Sequence, residues 1–133
     1  MISTKDLMLG NWVYDGERTQ FPMQVVGIGK DYVYLDFEGN EGDLWESTPE
    51  DLQGIPLTKE VLTKIGFIEC GPTLYQYQQG DIDIAVHLGL RCVIERRLSG
   101  ILLVSFTSES PRYLHQLQNA FRLTTKQELK ITL

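Results

Sequence analysis

The chain has little of what usually announces a function. Among its 133 residues are only two cysteines, Cys70 and Cys92, and two histidines, His87 and His115. Neither histidine has a cysteine or second histidine at metal-ligand spacing, so no zinc motif can be written. No glycine-rich phosphate loop occurs either. Gly27-Ile28-Gly29 leads into a strand-like segment instead of a helix, which excludes the dinucleotide and P-loop patterns. The longest clean apolar run, Ile101 to Val104, is far short of the ~18 residues of a membrane span. The segment from Met1 to Gly10 lacks a signal peptide's continuous apolar stretch. These readings predict a protein of the reducing cytoplasm with free thiols, no membrane association and no cofactor.

Positive charge is scarce in the first half. Residues 1–66 carry 5 Lys/Arg against 12 Asp/Glu, a net −7, whereas residues 67–133 carry 7 against 6. Phosphate recognition needs clustered cations, so the first half is a poor nucleic-acid surface. What is present is ordinary for a globular chain: 42% hydrophobic and 23% charged residues, with a length that can bury a core unaided.

The pattern predicts an α+β fold. The first half reads as a small curled β-sheet or SH3-like barrel, with strands at 11–14, 24–28 and 31–37, a turn at Glu38-Gly39-Asn40-Glu41-Gly42, and a return from Asp43 to Glu46. Thr58 is a good N-cap for a short helix, Lys59 to Ile65, and Gly66 supplies its left-handed end. An antiparallel meander follows, with strands near 67–70, 73–78, 81–88, 91–97 and 101–106. A C-terminal helix from Pro111 to about Leu123, capped by Ser110, would cover it with Tyr113, Leu114, Leu117, Ala120 and Phe121. Glu128 to Leu133 reads as a final edge strand, through which a homodimer would form. A division into residues 1–54 and 55–133 is expected, one continuous domain being the alternative.

Each candidate site has a plain counterpart. The acidic stretch from Asp36 to Asp43 fails as a calcium loop, because Glu41 and Ser47 stand where glycine and glutamate are required. Both cysteines sit among apolar neighbours in strand-like segments, as small buried hydrophobes do. A dyad of Cys70 or Cys92 with a histidine would have to be assembled through the fold. Tyr32 and Tyr34 oppose an apolar face and are candidates for exposed aromatics. The most distinctive surface is the expected outer face of the last helix, where Arg112, His115, Gln118, Asn119 and Arg122 recur at helical spacing. Such a row suits a phosphate or a partner's carboxylates, and its plain reading is the solvated back of an amphipathic helix.

Asp6-Leu7-Met8-Leu9-Gly10-Asn11-Trp12-Val13, Ile55-Pro56-Leu57-Thr58, Tyr113-Leu114-His115-Gln116-Leu117-Gln118-Asn119, and then Leu123-Thr124 and Glu128-Leu129 resemble a family of small uncharacterised bacterial proteins, often prophage-associated. The likeness spans most of the chain, with residues 70–106 matching in pattern. It implies a small accessory protein and names no catalytic residue. The expected function is therefore a non-catalytic interaction or accessory protein with a protein partner. A nucleic-acid-binding module using the last helix is the alternative, and a small enzyme the least favoured.

Overall fold

The computed structural model describes residues 2–16, 21–42, 44–106 and 110–133. The expected α+β architecture is present: two five-stranded antiparallel sheets and two helices. Asp43, where the return strand of the first sheet was expected to begin, lies outside the described residues. The chain divides into two compact units, residues 1–55 with 113–119, and residues 56–112 with 120–133. The division cuts the second helix, which a split at a single point between residues 54 and 55 cannot express.

In the first unit, strands β1 (Trp12–Asp15), β2 (Met23–Ile28), β3 (Val33–Asp36), β4 (Trp45–Ser47) and β5 (Leu52–Gly54) lie in the order β4-β3-β2-β1-β5. Period-two alternation sends Val13, Met23, Val25, Val33, Leu35 and Leu52 into one core, joined by Ile2 and Leu7, with Phe37 and Trp45 packed against it. A register shift between Val25 and Gly27 bulges β2 and increases its bend. The sheet curls: the indole N–H of Trp45 on β4 donates to Asp15 Oδ2 on β1 at 2.8 Å, although two strands separate them in the sheet order. The short strand β5, not anticipated from sequence, pairs with β1. Three residues, one of them glycine, leave no alternation to read.

In the second unit, helix α1 (Lys59–Lys64) starts as its sequence predicts, with Thr58 Oγ1 accepting from the Val61 N–H at 3.2 Å. Gly66, at φ +109°, ends it. The Phe67 N–H reaches Leu62 O at 2.9 Å, which completes a Schellman cap. Strands β6 (Ile68–Glu69), β7 (Leu74–Gln79), β8 (Ile82–His87), β9 (Arg91–Arg96) and β10 (Leu102–Phe106) then form a meander in the order β10-β9-β8-β7-β6. Its inner face buries Tyr75, Ile82, Ile84, Val86, Cys92 and Ile94, and Leu62, Phe67, Phe121 and Leu129 are buried in the same unit.

Helix α2 (Leu114–Thr125) begins later than Ser110 and Pro111 suggest. Backbone bonds compete with the expected cap: Leu57 N–H donates to Arg112 O, and Leu114 N–H to Ile55 O, each at 2.9 Å. The chain is therefore extended up to Tyr113. Gln116 then reaches back to accept from the Tyr113 N–H at 3.2 Å, half of a capping box. Lys126, at φ +62°, closes the other end.

The expected edge strand at 128–133 is absent. Side chains take its backbone instead: Tyr77 O–H donates to Lys130 O, Gln79 Nε2 donates to Glu128 O, and Lys130 N–H donates to Gln79 Oε1. Leu129 is buried. A homodimer built on that strand has no strand to use. No helix of the described residues is long and apolar enough to cross a membrane.

Gly54 tests the packing of the first unit. A Cβ there would stand 2.6 Å from Cγ and Cδ1 of Tyr113, near the root of that side chain, where rotation gives little relief. Gly54→Ala should lower unfolding free energy by about 1–3 kcal/mol in urea titration, as overpacking does. An unchanged midpoint would show that Tyr113 does not rest on β5.

Candidate functional site

Helix α2 carries all the expected site residues except Arg112, and the structure divides the set. Arg112 and Arg122 are exposed. His115 and Gln118 are 4% and 6% exposed, and Asn119 is half-buried. The row expected on the solvated back of the helix is thus largely turned inward. Leu114, Leu117 and Phe121 are fully buried, and His115 and Gln118 each follow one of them by a single residue. They flank the apolar stripe instead of opposing it.

These inward amides read the segment before β1. Gln118 Oε1 accepts from the Trp12 N–H at 2.9 Å, and Gln118 Nε2 donates to Gly10 O at 3.0 Å. Asn119 Oδ1 accepts from Asn11 Nδ2 at 2.8 Å, and Asn119 Nδ2 donates to Asp6 O at 2.7 Å. Asn11, 2% exposed, also accepts from the Met8 N–H at 2.8 Å. Gly10 takes φ +92°, a left-handed conformation suited to glycine. The two most distinctive sequence segments, around Gly10-Asn11 and Gln118-Asn119, are two halves of one hydrogen-bonded junction. A phosphate-binding row using His115, Gln118 and Asn119 would have to break it.

His115 stacks on Tyr113, with ring centroids 5.9 Å apart and 19° between planes. Its Nδ1 is buried with no hydrogen-bond partner. Burial pushes its pKa below 6.5, and Asp6 opposes the shift in part.

The second unit offers a different surface, the outward face of the meander. A recess of about 340 Å³ opens there, with Ile68, Gln76, Ala85 and Val93 along one row and Asp83 and Glu95 along the next. Asp83 and Glu95 are directly opposite across β8 and β9, a pairing of like charges that does not stabilise the sheet. Cys70 lines this recess and is exposed, against its expected burial, because β6 is an edge strand of two residues. Cys92 is buried, and burial pushes its thiol up to about 12, so it stays protonated. His87, half-buried, lies across from Leu74, whose carbonyl accepts from the Cys70 N–H. Cys70 and His87 are two strand spacings apart, roughly 10 Å, too far for a nucleophile–base pair. No group of three or more metal-ligating side chains that could hold an ion occurs among the described residues.

Strand β10 bounds this sheet and was not singled out as a site from the sequence. Its residues, Leu-Leu-Val-Ser-Phe, carry no charge, and Leu102 and the preceding Ile101 are each 56% exposed. The signal was visible in the same apolar run that was read only as too short for a membrane. The chain matches no protein-family model, no curated protein and no solved structure.

The buried His115 sets a pH dependence. An imidazole held neutral has a folded pKa below its unfolded value, so the unfolded state takes up the proton first as pH falls. Stability should be full above pH 6.5 and decline as pH drops from 6.5 toward the lowered folded pKa. Urea titrations at pH 7.5, 6 and 5 should show this loss. The variant His115→Phe should flatten the part due to His115, and an unchanged slope in that variant would contradict the assignment.

Proposed function

We propose that the chain is a non-catalytic interaction protein that engages a protein partner by strand addition at β10. The observation that carries this reading is an edge strand that no other strand covers among the described residues. Sheet edges usually carry lysine, proline or a covering element, because unpaired N–H and C=O groups recruit other chains. The five residues of β10 have neither charge nor proline. A register shift between Leu102 and Val104 is the edge's one irregularity.

The backbone defines which groups face out. Arg96 N–H donates to Ile101 O at 2.8 Å, so Cys92, Ile94 and Arg96 turn their backbone polar groups toward β10. Val104 and Phe106, opposite Ile94 and Cys92, use theirs toward β9. Ser105, opposite Val93 and between those two pairs, is left with its N–H and C=O directed away from the sheet. Extended partners bind such edges through main-chain bonds, with alternate side chains read by the adjoining face. Here that face holds the recess at Ala85 and Val93.

The resemblance to prophage-associated proteins and the two free thiols support an accessory protein working in a reducing cytoplasm, in a phage or mobile-element context. The curled first sheet is best read as an SH3-like barrel.

A tagged protein incubated with nuclease-treated lysate of its own cells should retain a stoichiometric protein. Ser105→Pro, which removes an outward N–H without touching the β9 ladder, should lose that protein, whereas Ser105→Ala should keep it. Equal capture by Ser105→Pro would contradict strand addition. Capture of nucleic acid, abolished by Arg112→Ala with Arg122→Ala, would transfer the function to the basic positions around α2.

A further inference from the structure

At one end of the first sheet, a recess of about 340 Å³ opens to solvent between Asp15, Tyr32, Trp45, Glu46, Ser47 and Asp51. Three of the lining residues, Asp15, Glu46 and Asp51, are acidic, and no lysine or arginine lines the recess among the described residues. Tyr32 and Trp45 supply aromatic wall.

Two of the lining groups are held in place. The Trp45 indole is fixed by its bond to Asp15 and by edge contact with Phe37, ring centroids 6.1 Å apart. Asp51 Oδ2 accepts from the Thr48 hydroxyl at 3.0 Å. Ser47 follows Trp45 by two residues on β4 and therefore faces the same side. It is 6% exposed, and its Oγ is buried with no hydrogen-bond partner. A buried hydroxyl in that condition asks for an explanation, and a ligand that completes it is one.

Carboxylates beside aromatic faces select a cation, because the ring quadrupole and the negative oxygens attract the same charge. A planar guanidinium uses both: it stacks on rings and makes forked bonds to carboxylates, which an ammonium cannot. The volume lies at the small end of ligand sites, about 300–1,000 Å³, enough for one side chain. Tyr32 and Leu44, 47% and 56% exposed, form an apolar rim for flanking residues. We infer that this recess binds an arginine side chain presented by a partner polypeptide. The inference rests on the interaction-protein reading but not on β10, and it is tested without the native partner, so either can fail alone.

The probe is N-acetyl-Gly-Arg-Gly-amide, titrated while the indole N–H resonances of Trp45 and Trp12 are followed by NMR. The Trp45 signal should shift saturably, with a dissociation constant of about 1 mM, while Trp12 serves as reference. The lysine peptide should bind more weakly and the citrulline peptide not at all. Glu46→Gln and Asp51→Asn should each weaken binding several-fold, up to about tenfold, with the remaining spectrum unchanged to show that the fold is intact. Absence of a saturable shift, equal binding of citrulline, or unchanged affinity in both variants would overturn the site. Tighter binding of free agmatine than of the peptide would overturn its assignment to a protein side chain.

Discussion

Two neighbouring carboxamides, on Gln118 and Asn119, bind four polar groups of the turn into β1. The Gly10 carbonyl, the Trp12 N–H, the Asn11 amide and the Asp6 carbonyl all find partners on α2, more than a hundred residues along the chain. In water each such bond adds about 0.5–1.5 kcal/mol net, but a buried group deprived of its partner costs about 1–3 kcal/mol. The asymmetry makes the junction a constraint. With α2 in register these four groups are matched, and a shift along the helix takes the partners of the Trp12 N–H and the buried Asn11 amide away. Leu114 and Leu117 bring the apolar burial, and the amides set its alignment.

This explains which parts of the fold were legible in the sequence. Strands with clean alternation, such as β3 and β8, and the Thr58-to-Gly66 helix are specified by local chemistry and were read correctly. Elements decided by distant partners were not. Strand β5 exists because β1 offers it an edge, and the start of α2 is delayed because the backbone at 112 and 114 is engaged elsewhere. The final segment has strand-like composition but lends its backbone to Tyr77 and Gln79. The row at His115, Gln118 and Asn119 failed for the same reason. Amide side chains look solvent-facing on a helical wheel, and only a partner segment more than a hundred residues away turns them inward.

Once those amides are assigned to structure, the surface proposed to meet a partner lies elsewhere in each unit. In the second, it is an uncharged edge strand beside a shallow face whose centre is kept low by Ala85 and Val93. In the first, it is an acidic, aromatic recess that the strong negative charge of residues 1–66 would favour for cations. In the proposed function both serve recognition. The buried Cys92 and His115 are shifted toward their neutral forms, which is a consequence of packing, and neither lines either recess.

The junction between α2 and the turn before β1 can be measured directly by a double-mutant cycle on Asn11 and Asn119. Unfolding free energies of Asn11→Ala, Asn119→Ala and the double variant would be compared with the parent protein. The account requires a coupling energy of about 1 kcal/mol or more, since the two amides bond to each other at 2.8 Å. Additivity within about 0.3 kcal/mol would mean that the pair acts independently, and that the amides of α2 do not set its alignment.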